Sequence, residues 1–528
     1  MNTIYNIAIT AIAAAFTLSS CIKLDTAPMG GTITSVQKEK VVANNPDMAS
    51  ASVNSISSMF NQLYNGRPGY TRHNDYGFAS LMLFMDSRGR DLVSPNIGYN
   101  WYQDCLTLVD DRITSEEVTQ MFWNTMYNQI YSTNLVAGSI AEDTEDSLLK
   151  YYLAQALAVR AFDYFNLVQM YQFTYKGHED AAGVPIILDT NAEKVATEGA
   201  PRSSVKEVYD QIKHDIDLAV TLLEGSDEKR PDNRFVSAAV AHGIRARINI
   251  VLQDWDAAAA DAQAAIDSGE ATPISIEEAS KPGFKDMTEP DWLWGIFNAE
   301  TDDIVETGIC NFPSHMGSLN YGYASVGAWR SISKALYDAI PETDARKGWF
   351  LDADGFSVNL TEEQQEYVAD AGCPAYTQVK FAPYKNELGT ATNANDVPLM
   401  RVEEMYLILA EAQANGASGD AKSTLETFVK TYRDPSYSVN GDVKDAVELQ
   451  RRIELWGEGL SYFDILRYNK GLDRRGAGFP EEFVFNIAAD DPLLIYQIPN
   501  DEIQANPQIN EADNNPAGGT PSPVPDTL

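Results

Sequence analysis

The sequence predicts a mainly α-helical fold: a tetratricopeptide-like (TPR-like) solenoid of helix pairs that carries long loops. Three observations predict it. Apolar residues recur at three-to-four spacing over long stretches, the pattern of helices with one buried face. Two helix pairs share a length, Val236–Leu252 with Trp255–Asp267 and Met400–Asn415 with Asp420–Tyr432. Each pair spans about 33 residues, close to the TPR period. The segments 66–112, 270–330 and 341–398 are rich in Tyr, Trp, Gly, Asn and Asp, and long ordered loops on a rigid scaffold usually carry function. They are read as ligand-binding loops. An irregular helical bundle is the competing architecture.

Each helix has its own signal. Trp123, Tyr127, Ile130 and Asn134 mark one. Leu149, Leu153, Ala156, Leu157, Ala161, Tyr164, Phe165, Val168 and Tyr171 line a second. Val205, Val208, Ile212, Ile216, Ala219 and Leu223 line a third, with Ser204 as its cap. In the two equal pairs, small residues stand where helices cross closely: Ala239, Gly243, Ala246, Ala258, Ala262 and Ala265, then Ala410, Ala412 and Ala414. Such pairs stack into a curved solenoid.

The chain begins with a different signal. Ile4 to Leu18 is almost wholly apolar, and no charged side chain precedes Cys21. The run is too short to span a bilayer and fits the core of a secretory signal peptide. It closes on Leu18-Ser19-Ser20-Cys21, a lipobox, so residues 1–20 are expected to be removed and Cys21 to carry lipid. Several acyl chains on one residue give lasting membrane attachment. Residues 21–45 read as an extended lead-in from that anchor, 46–510 as one helical domain, and 511–528, rich in Pro, Gly, Asn and Asp, as a flexible tail.

Charge and composition exclude several functions. The formal charge of −37 opposes nucleic-acid binding, which needs a Lys/Arg surface to release counterions, and opposes direct adhesion to anionic headgroups. Cys105, Cys310 and Cys373 form no Cys-x-x-Cys pair; export permits one disulfide among them, and three separate thiols fit equally well. No nucleophile elbow, phosphate loop, zinc helix or EF-hand loop occurs. The histidines His73, His178, His214, His242 and His315 do not cluster in sequence. Asp86 to Asp91 holds two acids around two arginines, which reads as a turn held by ion pairs and not as a cation site. With 76 acidic residues, no chosen carboxylate pair argues for glycosidase chemistry. Neither a cofactor, a metal nor an enzymatic role is expected.

Six strings in order along the chain resemble the SusD/RagB family of outer-membrane nutrient-binding lipoproteins. They are the helix around Arg160-Ala161 with Tyr164-Phe165 and Leu167-Val168; the turn Gly183-Val184-Pro185; Pro201-Arg202-Ser203-Ser204-Val205; Arg401 to Ala412; RRIELWGEGLSYFDILR from Arg451 to Arg467; and Ile498-Pro499 through Asn506-Pro507. Ser461 departs from the Arg that many members carry after the Glu-Gly pair. The resemblance implies a SusD-like fold and a lid-like partnership with a SusC-like TonB-dependent transporter barrel. It implies capture of a nutrient, an oligosaccharide or in some members a peptide, at the cell surface on the outer membrane. A periplasmic TPR adaptor is the alternative from another class. Glu454, Glu458, Asp464 and Arg467 read as one helix with the apolar face Leu449, Ile453, Trp456, Leu460 and Phe463, their charges paired to fix packing. Glu403, Glu404 and Glu411 are read the same way.

The candidate ligand-binding residues are Tyr99, Asn100, Trp101 and Tyr102 in one loop, and Tyr321, Tyr323 and Trp329 in another. Sugars need this mixture, because their C–H faces stack on aromatic rings while amides and carboxylates bond their hydroxyls. An extended peptide would use the same groups. For the anchor, the N-terminal peptide of protein purified from membranes is expected to begin at an acylated Cys21, and Cys21→Ala is expected to leave the protein soluble. An unmodified Met1, or a mutant that fractionates with membranes as before, contradicts this.

Overall fold

The computed structural model describes residue 42 and residues 45–63, 72–96, 99–109 and 112–527. The signal peptide and Cys21 lie outside the described residues, as does nearly all of the lead-in. The longer helices, numbered in chain order, are α1 Ser50–Ser58, α2 Phe78–Arg88, α3 Glu117–Ala137, α4 Ser147–Tyr171, α5 Val205–Glu224, α6 Ala238–Leu252, α7 Trp255–Asp267, α8 Val402–Ala414, α9 Ala421–Tyr432, α10 Val443–Glu454 and α11 Ser461–Arg467. From α3 to α9 each helix packs on the next, and α10 returns onto α8. The solenoid is therefore continuous in space although residues 268–401 separate α7 from α8 in sequence.

Local chemistry explains the helix ends. Ser204 caps α5 in a reciprocal capping box with Glu207, which satisfies two orphan N–H groups at once. Ser237, Asp254 and Asp420 cap α6, α7 and α9 through their side chains. Close crossings need the small residues: a Cβ on Gly243 would sit 2.3 Å from the Met400 sulfur. Ala239, Ala246, Ala258, Ala262, Ala265, Ala410 and Ala412 are buried, while Ala414 is only partly covered. Helix α4 is covered on nearly every side, so the face read from sequence is only part of its buried surface. A helix at the centre carries apolar residues all round. Its Arg160 is held by both oxygens of Asp215 at 2.7 and 2.8 Å and by Asn134 at 2.9 Å.

Three short antiparallel ladders tie the loops to this frame. They pair β1 Leu92–Val93 with β3 Ser331–Ile332, β2 Trp292–Ile296 with β4 Val397–Arg401, and β5 Leu472–Asp473 with β6 Asn486–Ile487. The loop 66–112 also contains the wholly buried α2, whose apolar run Phe78 to Met85, broken only by Ser80, has no helical period to announce it.

One expected element is two. Glu454 to Arg467 is not a single helix: α10 ends at Glu454, and α11 begins at Ser461. Between them Gly457 and Gly459 take φ of 80° and 78°, where residues with a side chain are strained. A Cβ on Gly459 would lie 2.8 Å from the Met82 Cα. Buried Trp456 continues the apolar spacing through the turn, so periodicity alone cannot see the break.

The break lets two carboxylates approach one guanidinium. Arg401 is bonded by Glu454 at 3.1 Å and by both oxygens of Glu458 at 2.8 and 2.9 Å. Glu454 also holds Arg433 at 2.7 Å and Arg346 at 3.1 Å, and Glu458 holds Lys380 at 2.7 Å. Glu403 pairs with Arg433 at 2.9 Å and Glu404 with Arg247 at 2.5 Å. A second buried cluster joins Arg467 to Glu411 and, at 2.6 Å, to Asp464, which Arg451 meets at 3.0 Å. The acids named in sequence as packing charges are thus buried and paired.

The Asp86–Asp91 run is held differently from the turn expected. Its charges reach across the chain: Asp91 pairs with Arg452 at 2.6 Å and Arg90 with Glu448 at 3.0 Å. Asp86 accepts from the Gly459 N–H at 2.8 Å and has Ser461 at 3.4 Å; burial pushes its carboxyl up to about 7. Residues 511–527 are bonded to the body instead of hanging free. Asn515 donates to the carbonyls of Tyr171 and Tyr496, Arg112 donates to the Gly519 carbonyl, and Val524 N–H donates to Val484. Their polar composition satisfies backbone groups along the surface. Among the described residues Cys105, Cys310 and Cys373 form no disulfide.

Removing Asp464 leaves Arg467 and Arg451 short of a counter-charge, so Asp464→Ala is expected to destabilise by about 3–5 kcal/mol, read as an early melting transition. Arg451 and Arg467 hold the Asp464 carboxyl below its ordinary 3.8 against the opposing effect of burial. This pair's contribution is therefore fully present above that ordinary value and is lost as pH falls through the lower folded value. The difference in stability between wild type and mutant is expected to shrink at acid pH. A mutant as stable as wild type contradicts the assignment.

Candidate ligand-binding site

The β1–β3 ladder, which sets Leu92 opposite Ile332 and Val93 opposite Ser331, brings the two aromatic loops of the sequence analysis together. Arg330, fully buried just before β3, locks them. Its guanidinium donates to Ser94 Oγ at 2.7 Å and to Asn100 Oδ1 at 3.1 Å, and its Nε donates to the His315 carbonyl at 3.0 Å. The ring of Tyr102 lies against it at 5.4 Å.

Above this floor stands a row of rings. His73 stacks on Trp101 at 4.8 Å and lies 5.8 Å from Tyr323. Its Nδ1 meets the Tyr323 hydroxyl. His315 is sandwiched between Tyr323 at 4.7 Å and Tyr76 at 5.7 Å, with near-parallel planes. Its Nε2 donates to the His73 carbonyl at 2.7 Å. Asn74 donates to the Trp101 carbonyl at 2.8 Å and fixes the height of that ring. Gly322 is required beside Tyr323, because a Cβ there would lie 2.5 Å from the Ser314 Cα.

Burial sets the protonation. The His315 ring is pushed down to about 3, chiefly by burial and then by the Arg330 charge, so it is neutral at any ordinary pH. His73 is lowered as well, by burial. In a neutral imidazole one nitrogen accepts and the other donates; Nδ1 of His73 shares a proton with the Tyr323 hydroxyl, and Nε2 takes the complementary role. Burial raises the Tyr76 and Tyr102 hydroxyls, which bond each other.

The seven sequence candidates separate into groups. Trp101 and Tyr323 are half-buried and share His73. Tyr99 and Tyr321 project outward, 77% and 53% exposed. Tyr99 does so at φ 56°, a conformation unusual for a bulky residue and frequent at functional loops. Two expectations are corrected. Tyr102 is 0% exposed and Asn100 7%; both face Arg330 and form the floor, so neither offers a surface to a ligand. Trp329 is half-buried and faces Cys373, whose thiol burial pushes up to about 12 against the pull of the indole. Among the described residues no ring contact joins it to the Trp101 row.

His73, Tyr76, His315 and Arg330 were missed by sequence reasoning. The histidines, judged not to cluster, do so here in one pair across 242 positions. The only sequence signal was the adjacency of Arg330 to Trp329. Among the described residues no group of three or more His, Cys, Asp or Glu side chains is placed to hold a metal ion.

Comparison with known proteins matches this architecture. Residues 44–250 match a family model described as SusD-like, starch-binding and associating with the outer membrane, and residues 368–517 match the SusD family model. The chain belongs to the SusD/RagB family. A curated relative, SusD-like protein P38 of Formosa agariphila, is 23% identical over 75% of this chain and 83% of its own length. A SusD-like carbohydrate-binding protein from Bacteroides vulgatus superposes with TM-score 0.71 at 22% identity, covering 88% of this chain and 97% of that one. A laminarin-binding SusD-like protein superposes with TM-score 0.60 at 19% identity over 89% of this chain and 99% of that one. These structures share with it the SusD fold of TPR-like helices and inserted loops.

In this SusD-family chain Trp101 stands half-buried, stacked on His73 in the row. Trp101→Ala is expected to weaken ligand binding at least tenfold, on the order of 1.4 kcal/mol, with little change in melting temperature. Tyr102→Ala is expected to lower the melting temperature, since it empties the floor around Arg330. Calorimetry and melting curves on both mutants check this; normal binding by Trp101→Ala places the site elsewhere.

Proposed function

We propose that this chain is a cell-surface nutrient-binding lipoprotein that captures a glycan on the Trp101–His73–Tyr323 face and delivers it, without chemistry, to a TonB-dependent outer-membrane transporter of the SusC kind. The carrying observation is that row: a stacking face with an imidazole beside it, on loops that the β1–β3 ladder holds together. It supplies what sugar binding needs, an apolar ring face and a directed polar group. Tyr99 and Tyr321 widen the aromatic surface. The family supports the partner and the outer-membrane location, and the lipobox Cys21 with the signal peptide 1–20 supports the anchor. Among the described residues no helix is long and apolar enough to cross a membrane.

The non-catalytic reading has its own support. The acids of the C-terminal motif are spent on structure: Glu454, Glu458 and Asp464 are buried in ion pairs that hold them ionised.

Purified protein from residue 22 onward, titrated calorimetrically with a panel of oligosaccharides and peptides, is expected to bind a glycan stoichiometrically and return it uncleaved by chromatography. Binding of peptides alone overturns the glycan reading, and turnover of the glycan overturns the non-enzymatic one.

A further inference from the structure

The turns after α4, α6 and α8 enclose a cleft of about 550 Å³ at one edge of the solenoid. That is within the roughly 300–1,000 Å³ of small-ligand sites. The cavities beside Phe162 and Phe463 measure about 30 and 40 Å³, room for little but water. The cleft shares no lining residue with the Trp101–His73–Tyr323 face.

Trp255 is its stacking ring. It is the first residue of α7, and the Asp254 cap, which accepts from the Ala257 N–H at 3.3 Å, fixes its place. The indole packs against the core yet is only half-buried. Among the described residues its N–H has no protein acceptor. Tyr175 supplies a second ring, edge-on to Tyr209 at 5.0 Å, with the Lys176 ammonium over it at 5.5 Å. Amides flank the rings. Gln253 is exposed at φ 59°, a backbone conformation that costs any residue with a side chain. Its carboxamide bonds no protein group among the described residues. Asn415 gives its amide N–H to the Glu411 carbonyl at 2.9 Å, so its Oδ1 remains to accept. Gly416 beside it, at φ 120°, has open space where a Cβ would stand, so the cleft reaches the backbone there.

The lining decides the class of ligand. Lys176 and Lys213 are balanced by Asp254 and Asp256, so a charged ligand gains nothing overall. Leu252 is the one aliphatic side chain of the lining, so the apolar side chains of a peptide find little to bury against. Two rings, two amides and an uncommitted indole N–H suit a neutral sugar, whose C–H face stacks on an aromatic while its hydroxyls both donate and accept. We infer that this cleft is a second glycan site, which takes a neutral oligosaccharide with one sugar ring on Trp255 and hydroxyls on Gln253 and Asn415. It rests on the glycan reading above for the class of ligand alone.

The test uses the protein from residue 22 onward, labelled with fluorotryptophan, and three neutral probes: maltohexaose, cellohexaose and laminarihexaose. The fluorine resonances of Trp255 and Trp101 are assigned by their loss in Trp255→Phe and Trp101→Ala. At least one hexaose is expected to shift the Trp255 resonance saturably, and equally so in Trp101→Ala. Gln253→Gly, which relieves the backbone strain, is expected to keep the melting temperature or raise it. The same variant is expected to weaken binding at Trp255 about fivefold, the loss of one neutral hydrogen bond. No saturable shift of the Trp255 resonance with any hexaose overturns this inference; a response of Trp101 in the same titration leaves the glycan reading standing, and silence at both overturns both. A Trp255 shift that vanishes in Trp101→Ala, or that Gln253→Gly leaves at wild-type strength, overturns the second site as well. Tighter binding of oligoglycine or oligoleucine at Trp255 than of any hexaose overturns the ligand class.

Discussion

The inserted loops of this molecule hang on the buried guanidinium of Arg401. It sits at the junction of β4 and α8, where the inserted segment re-enters the solenoid, and it is gripped by Glu454 and Glu458 from either side of the turn after α10. Asp291 beside β2 reaches it at 3.2 Å, while Lys380 from the inserted segment shares Glu458. The bonds are worth most where they are, because a charge with no partner in that interior would cost several kcal/mol. Solenoid, insertion and C-terminal region are thus cross-linked electrostatically at one point. The turn so fixed presses Gly459 against Met82 of α2, and α2 is followed directly by β1, which positions Asn100 and Trp101.

The aromatic row shows how a site is built where neither partner segment is regular. Strand pairing of only two residues sets the register. Arg330 converts that register into a rigid floor by bonding both loops. Neutral His315 then acts as a spacer between Tyr76 and Tyr323, and its one N–H fixes the His73 backbone. Each layer holds the ring above it, so the half-buried Trp101 ring is held in place before any contact from outside.

The helical frame was legible in the sequence because its forces are local. Spacing located α3 to α9, Ser204 announced the start of α5, and small residues marked the crossings. The motif acids were legible as packing charges, since each stands beside an apolar seam. Two things were hidden. The break between α10 and α11 was masked because Trp456 keeps the apolar spacing while Gly457 and Gly459 change the backbone. The candidate site was half visible: aromatic clusters named Trp101 and Tyr323, but His73, His315 and Arg330 join them through contacts across hundreds of residues, which no pattern along the chain records. Tyr102 and Asn100 were misjudged for the converse reason, since a loop composition does not say which of four adjacent side chains turns inward.

The long insertion between α7 and α8 also bears on how the chain reaches this state. Helices α3 to α7 find their neighbours within short sequence distances and form contacts of the fast-folding kind. Helix α8 must dock on α7 across residues 268–401, and the Arg401 cluster closes only when residues 454–458 arrive. A chain made N-terminus first therefore exposes the open side of α7 until α8 is made, and leaves Arg401 without Glu454 and Glu458 until α10 and the turn after it are made. Such a chain is prone to aggregate while it is incomplete: a long, half-apolar intermediate stays open until the final hundred residues close it.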